Sequence, residues 1–430
     1  MRISYFWKSS VNFFSQSGAV TGNGLVVRRL LWSKGLRAFA DGYVSLLLPM
    51  YLLSLGMSPL DVGVIATSTL LGSGALTLIV GIQAYRFELR TLLLMAAMLM
   101  TATGLGFATV TDFWPLLVIA FVGTINPSSG DVSVFLPLEH AVLSHVVSDS
   151  ERTAIFARYG MVGSLAAALG ALFAGFPELL VLKMQVSMKG ALQGMFVLYA
   201  GIGIAAALIY SGLPRDAAAE AGRVKTPLEK SKAMVYKLAA LFSLDAFSGG
   251  LIVHSMIALW LYQKFELSIA VAGTIFMWTG ILSAFSYPLA ARLARRFGLV
   301  NTMVFTHLPS SVFLILVPFM PTLGWAITML LARSALSQMD VPTRNSYVMA
   351  IVPPEERPAA ASVTSVPRSL ASAVGPVLAG YLLTVSSFGL PLVIAGSLKI
   401  TYDLLLLRTC RHTRPPEETS HVDRAALHGR

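Results

Sequence analysis

The chain has 430 residues, of which 55% are hydrophobic and only 12% are charged, and its mean hydropathy is +0.71. A soluble protein of this size would carry about 25% charged residues, so the composition excludes a soluble protein and predicts an integral membrane protein. The net charge of +11 would also suit a nucleic-acid-binding protein, but the basic residues cluster on one predicted side of the membrane, so no nucleic acid is expected as a partner.

Nearly uncharged runs of about 20 residues, long enough to cross about 30 Å of hydrocarbon, predict twelve membrane spans. We number them in chain order as spans 1 to 12. The first six lie near residues 35–55, 60–83, 91–110, 114–143, 153–176 and 190–212. The second six lie near residues 236–262, 270–291, 300–319, 323–347, 360–385 and 387–407.

The polar segments between and beyond the spans predict the domain organisation. Residues 1–33 form an N-terminal extension without a cleavable signal peptide, 34–212 a first six-helix bundle, 213–235 a linker, 236–407 a second bundle and 408–430 a disordered tail. Most lysines and arginines fall in the two termini, the linker and the loops on the same side. The positive-inside rule therefore places both termini and the linker in the cytoplasm, and we predict a bacterial inner-membrane location.

The two bundles carry an internal repeat. Several residues and pairs recur in the second half at nearly constant spacing: Gly63 as Gly273, Arg86-Phe87 as Arg296-Phe297, Pro137 as Pro342, and Glu151-Arg152 as Glu356-Arg357. Duplicated sets of membrane helices are typical of transporters, because two similar halves can rock about a site held between them.

The segment from Leu289 to Gly298 contains Arg292, Arg295 and Arg296, and it resembles the loop between the second and third helices of each half in the major facilitator superfamily. The first-half counterpart around Arg86 lacks the usual aspartate and the second glycine. The resemblance implies an all-α membrane protein with twelve transmembrane helices in two pseudo-symmetric six-helix bundles. It also implies alternating access about a central cavity lined by spans 1, 4, 7 and 10.

Span 10 contains three ionisable residues, Arg333, Asp340 and Arg344. At about 100° per residue they lie along one stripe of the helix, and each would cost about 2.5–3.5 kcal/mol at mid-span if it faced lipid. By the resemblance, the stripe faces the cavity. Arg333 either binds an anionic or zwitterionic substrate or is held by a buried carboxylate.

Asp340 and Arg344, four residues apart, are predicted to form part of a cytoplasmic gate. The repeat places Glu139 of span 4 at the position equivalent to Arg344. A salt bridge between Glu139 and Arg344 would join the two halves when the cytoplasmic mouth closes and would break when it opens.

The candidates for carrying a coupled proton are Asp41, Asp131 and Asp245, since a desolvated carboxylate can take up a proton near neutral pH. The sequence does not rank them. Asp41 lies one turn from Arg37, so a local ion pair is an alternative interpretation for it.

The predicted function is secondary active transport of a small, anionic or zwitterionic solute, driven by protons, with membrane lipid as surroundings and a monomer as sufficient unit. The alternatives are efflux of drug-like compounds through an aromatic cavity that uses Phe242, Phe247, Trp260 or Trp278, and a receptor or scaffold that has lost transport. We expect no enzyme activity, no cofactor and no metal site, because phosphate loops, nucleophile elbows and metal-ligand spacings are missing from the sequence, and Cys410 is its single cysteine.

Overall fold

The computed structural model describes residues 22–83, 87–128, 133–147, 149–214, 229–353 and 356–410. These residues are helical apart from short connections, and ten of their helices are long and apolar enough to cross a membrane. Spans 4 and 10 are the other two, and each consists of two shorter helices. The predicted twelve-span, all-α architecture is confirmed.

The first bundle contains spans 1 to 6. Their helices are Gly22–Ser54, Pro59–Gln83, Leu89–Thr109, Phe113–Val122 with Phe135–Val146, Asp149–Phe173 and Met188–Ser211. A short helix, Phe176–Met184, connects spans 5 and 6.

The second bundle contains spans 7 to 12. Their helices are Lys232–Gly250 with His254–Phe265, Ile269–Phe297, Leu299–Leu316, Leu323–Leu336 with Asp340–Ile351, Arg357–Val385 and Leu390–Cys410.

Span 1 begins at Gly22, well before the predicted boundary at residue 34. Val26 and Leu30 are buried and lie one turn apart, so the added turns pack an apolar face against the bundle. Span 7 begins at Lys232 and span 12 ends at Cys410, each a few residues beyond the predicted boundary. The greater part of the predicted linker and tail lies outside the described residues.

Three spans are interrupted near their middle. Span 4 breaks after Val122, span 7 between Gly250 and His254, and span 10 between Leu336 and Asp340. The breaks in spans 4 and 7 meet, because the Ser255 N–H donates to the Pro127 carbonyl oxygen at 3.1 Å. Interrupted helices expose backbone groups and are tolerated within a membrane where they face a protein-lined cavity.

The two bundles are in close contact on one side of the molecule. We call the side where span 6 ends and span 7 begins the linker side, and the opposite side the far side. On the far side, a side chain at Gly63 of span 2 would overlap the Pro376 carbonyl oxygen of span 11, and one at Gly380 would overlap the Pro59 carbonyl oxygen. These glycines permit backbone contact between the halves. The structure therefore represents a state that is closed on the far side.

A carboxylate joins the halves at the same level. Glu178, in the short helix after span 5, accepts hydrogen bonds from the Ile269 N–H at 2.6 Å and the Ala270 N–H at 3.3 Å. These are the first residues of span 8, where the helix dipole favours negative charge. We call this contact the far-side latch.

Candidate functional site: a charged cavity between the halves

A cavity of about 400 Å³ lies between the two bundles. Its lining comes from spans 1, 2, 5 and the break of span 4 in the first half, and from spans 7 to 12 in the second half. Serine hydroxyls are frequent in this lining, including those of Ser283, Ser310, Ser334 and Ser337. Its charged side chains are Lys34, Asp41, Asp245, Arg333, Asp340, Arg344, Arg368 and Lys399. This composition suits a small polar solute.

Asp245 of span 7 is the centre of an ion-pair network in the second half. Its carboxylate is 2.7 Å from Lys399 Nζ of span 12 and 3.2 Å from Arg344 Nη1 of span 10. Arg344 also pairs with Asp340, one turn earlier in the same span, at 2.9 Å. All four side chains line the cavity and are at most 9% exposed. Since buried charges are costly unless paired, the network fixes spans 7, 10 and 12 together.

Asp340 is also the first residue of the second helix of span 10. Its carboxylate therefore lies where the helix dipole favours negative charge. The break in the span thus places the Asp340 and Arg344 pair at the cavity wall.

His307 of span 9 also lines the cavity and connects the network to the helix packing behind it. Its Nδ1 atom lies 2.9 Å from Asp403 Oδ1, and its Nε2 atom lies 3.9 Å from Asp245 Oδ1. Asp403, on span 12, is fully buried. The imidazole therefore connects a carboxylate in the helix packing to one at the cavity.

Arg333 and Arg368 differ from the other second-half cations of the cavity. In the part of the chain that the structure describes, neither guanidinium has a carboxylate within ion-pairing distance or a hydrogen-bond acceptor, and the Arg368 Nε is buried without a partner. Arg333 is partly exposed to the cavity, and so is Arg368. Two positive charges are thus available to a solute.

In the first half, Glu139 has a different partner from the predicted Arg344. It accepts hydrogen bonds from Arg37 of span 1, from the Tyr159 hydroxyl and from the Tyr210 hydroxyl, the last at 2.7 Å. Glu139 is fully buried and Arg37 is 4% exposed. Glu139 and Arg344 occupy equivalent positions in the two repeats. Each thus forms its ion pair with a neighbouring helix of its own half.

The other predicted site residues are placed as follows. Asp41 lines the cavity, as does Asp245, whereas Asp131 lies outside the described residues. Arg292, Arg295 and Arg296 are exposed at the linker-side end of span 8, and Gly298 ends that span with φ of 87°, a conformation that favours glycine. Arg86 also lies outside the described residues.

Sequence reasoning assigned no functional role to four residues of this site: His307, which it interpreted as structural, and Arg368, Lys399 and Asp403. The signal for them was an ionisable side chain within an apolar span, which marks a functional candidate before any partner is known. Among the described residues, there is no group of three or more His, Cys, Asp or Glu side chains that could hold a metal ion.

The fold and the polar cavity between two six-helix bundles define a membrane transporter, not an enzyme. The sequence profile of the Major Facilitator Superfamily matches residues 30–243 and again 238–427. The chain therefore belongs to this superfamily, whose members work by alternating access.

One curated relative is the uncharacterized membrane protein YJR124C of Saccharomyces cerevisiae, which is 26% identical over 414 residues, 88% of this chain and 92% of the yeast protein. Solved structures with the same fold include the nucleoside transporter NupG, with 12% identity, a TM-score of 0.72, and coverage of 89% of this chain and 99% of that one.

Two other structures are similar at low identity. A bacterial homologue of the human lysosomal transporter Spinster, in an inward-facing and occupied conformation, is 14% identical with a TM-score of 0.71 over 91% of this chain and 97% of its own. The human organic anion transporter MFSD10 is 18% identical with a TM-score of 0.63 over 90% of this chain and 100% of its own. These likenesses concern the fold.

Proposed function

We propose that this transporter carries a small anionic solute, coupled to protons, by rocking residues 34–212 against residues 236–407. The observation that carries the proposal is the pair of cavity arginines, Arg333 and Arg368, which have no carboxylate partner among the described residues. Guanidinium groups keep their charge when desolvated and offer several donors to a carboxylate or phosphate. A bound anion would supply the negative charge that these residues lack.

The remainder of the cavity supports a polar solute over a drug-like one. Two of the aromatic residues considered for drug efflux, Phe242 and Trp260, are buried in helix packing, and Trp278 is 51% exposed on the outer surface. The aromatic side chains of the lining are instead Phe276 and Tyr287, among many serines. A receptor that had lost transport would not require unpaired arginines at its centre.

The linker side is proposed to be cytoplasmic, because the basic residues flanking the spans lie there, including the exposed Arg292, Arg295 and Arg296. With this orientation, the closed far side would face out of the cytoplasm, and we propose that this state is inward-facing. The bacterial inner membrane remains a prediction, and a monomer surrounded by lipid is sufficient for the mechanism.

We propose that the candidate gate residues exchange ion-pair partners when the cytoplasmic mouth closes. Asp340 and Arg344 would move with the second half, and Glu139 with the first, because each has its ion pair within its own half in this state. Closure of the cytoplasmic mouth would bring the two pairs towards each other, and exchange of partners between them would then stabilise the outward-facing state.

Proton coupling requires a group in the cavity that changes its protonation during the cycle. Asp41 and Asp245 both line the cavity, as the proton assignment requires. Asp245 contacts Lys399 and Arg344, and neither carboxylate is ranked above the other as the proton carrier.

The anion proposal is tested by thermal stabilisation of the purified protein with benzoate, glutarate and glutamate, and with tetraethylammonium as a cation. Ligands that bind the folded state raise its apparent stability. We expect stabilisation by at least one of the anions, and its loss in Arg333→Gln, because a charge-assisted hydrogen bond contributes about 1.5–3 kcal/mol.

The matched control is Arg408→Gln, which removes an exposed arginine at the end of span 12, away from the cavity lining. It should respond to ligands as the wild type does. Stabilisation by tetraethylammonium alone, unchanged in Arg333→Gln, would contradict the anion proposal and favour drug efflux.

A further inference from the structure

A buried histidine and carboxylate pair adjoins the cavity on the side of spans 9 and 12. His307 Nδ1 is 2.9 Å from Asp403 Oδ1 and 3.1 Å from Asp403 Oδ2, so the carboxylate holds the ring in one orientation. The opposite ring nitrogen, Nε2, points towards Asp245 at 3.9 Å. His307 also lines the cavity, which gives Nε2 a route to water.

The charges around this pair leave Asp403 with one ion-pair partner in the described chain. Lys399 and Arg344 are in contact with Asp245 and Asp340, and the partner shown for the Asp403 carboxylate is His307. A fully buried carboxylate costs several kcal/mol unless its charge is offset. One additional proton on the imidazole would therefore offset the charge of Asp403.

We propose that His307, held by Asp403, is the site at which the coupled proton binds, and that a solute anion in the cavity strengthens its binding. This proposal rests on the anion transport proposed above. The proton comes from cavity water to the lone pair of Nε2, while the Nδ1–H continues to donate to Asp403. The pair then changes from a net charge of −1 to neutral, without any covalent change.

Coupling follows from charge and from linkage. An anion that binds at Arg333 and Arg368 adds negative charge to the cavity, and negative charge nearby favours the protonated imidazole. By thermodynamic reciprocity, protonation of His307 then strengthens anion binding by the same factor. An anion and a proton would therefore be carried in the same direction.

Other titratable and charged groups face His307 from each neighbouring span and set the background charge. Span 7 contributes Asp245 and His254, span 10 contributes Arg333, Asp340 and Arg344, span 11 contributes Arg368, and span 12 contributes Lys399 and Tyr402, whose ring centroid is 6.0 Å from that of His307. Span 8 contributes Tyr287 to the same cavity.

The test is proton uptake on anion binding, measured with a pH indicator in weakly buffered detergent solution, with benzoate, glutarate and glutamate as probes. Wild-type protein should take up about one proton per anion bound. Its affinity for the anion should fall about tenfold per pH unit over the range in which the His307 and Asp403 pair is deprotonated before the anion binds. His307→Gln retains a side chain of similar length that cannot titrate. It should bind anion without proton uptake and without that pH dependence.

His140→Gln is the matched control, because His140 is a first-half histidine stacked on Phe156, away from the cavity lining. It should take up protons as the wild type does. Full proton uptake by His307→Gln would overturn the assignment of the proton site while leaving anion transport intact.

A ligand-free measurement separates this proposal from the function on which it rests. If no probe binds to the wild type, the anion proposal fails, and nitrogen-15 NMR of the histidines then decides the proton site alone. We expect His307 of the wild type to carry a proton on both ring nitrogens at acid pH. In Asp403→Asn, it should lose the Nε2 proton at a lower pH than in the wild type. An Nε2 atom that stays unprotonated throughout the pH range of the folded protein would overturn the proposal.

Discussion

Each half of the molecule contains a buried ion pair between its first and fourth spans, and the two pairs differ in charge order and in surroundings. In the first half, Arg37 of span 1 meets Glu139 of span 4, enclosed by two tyrosine hydroxyls. In the second half, Asp245 of span 7 meets Arg344 of span 10 at the cavity wall, with Lys399 as a further partner. One pair thus lies within the helix packing of its half, whereas the other lines the cavity.

The largest effect that the comparison predicts is on stability, in the first half. Glu139→Gln leaves the Arg37 guanidinium buried without its carboxylate, so we expect a loss of about 3–5 kcal/mol in the free energy of unfolding. Thermal unfolding in detergent measures this. The double variant Arg37→Met with Glu139→Leu should recover most of the stability, because an apolar pair replaces the buried charges.

Glu88→Gln is the control for that variant, because Glu88 is exposed and makes no side-chain hydrogen bond at the start of span 3. It should unfold at the wild-type temperature. If Glu139→Gln does so as well, the assignment of this pair to helix packing is wrong.

The second prediction is that Asp245→Asn mainly affects transport. Arg344 keeps Asp340 as a partner, and Lys399 can be hydrated from the cavity, so we expect a loss of about 1–3 kcal/mol in the free energy of unfolding. Uptake into proteoliposomes should be abolished, since the charge balance of the site changes. If Asp245→Asn loses as much stability as Glu139→Gln and still transports, the two ion pairs do not differ in the way proposed.

The third prediction concerns the far-side latch. Glu178→Gln replaces a carboxylate at the start of span 8 with a neutral amide, which should weaken far-side closure by about 0.5–2 kcal/mol. Spin labels on cysteines at Trp114 and Val385, in a Cys410→Ser background, measure the distance between the halves. We expect a larger population at the longer far-side distance.

Glu266→Gln, which alters an exposed far-side acid at the end of span 7, should leave that distance distribution unchanged. A Glu178→Gln distribution identical to the wild type would show that glycine packing alone closes the far side.

The smallest expected effect is a dependence of stability on acid pH, from the loop residue Glu356. Hydrogen bonds from the Ser231 hydroxyl and the backbone N–H groups of Glu229, Lys230 and Ser231 lower the pKa of Glu356 from 4.5 to about 2. Because these donors bind the carboxylate form, its stabilisation is complete above pH 4.5 and is lost as the pH falls towards 2. Wild type should lose stability over this window more than Glu356→Gln does. Parallel pH profiles would contradict this assignment.

The sequence predicted the architecture well because apolar length, charge asymmetry and the repeat are local or periodic properties. The spacing of Asp340 and Arg344 also placed them one helical turn apart, which is the separation at which they pair. The wider network was not predictable, because the partners of Asp245 and Glu139 depend on how distant helices pack. Asp245 and Lys399 are 154 residues apart along the chain.

The repeat also gave an incomplete account of the charges. It identified Arg344 and Glu139 as equivalent positions, and equivalence of opposite charges suggested contact across the halves. In the described state each residue is instead satisfied by a neighbouring span of its own half, because a buried charge requires a partner at contact distance in every state that the protein occupies.

Whether Arg333 binds the transported anion is tested most directly by uptake of radiolabelled glutarate into proteoliposomes, under an inward proton gradient, for wild type, Arg333→Gln and Arg408→Gln. We expect uptake by wild type and Arg408→Gln, and at least about a tenfold loss in Arg333→Gln, which corresponds to about 1.4 kcal/mol of anion binding. Equal uptake by all three proteins would contradict the claim that the unpaired cavity arginine binds the transported anion.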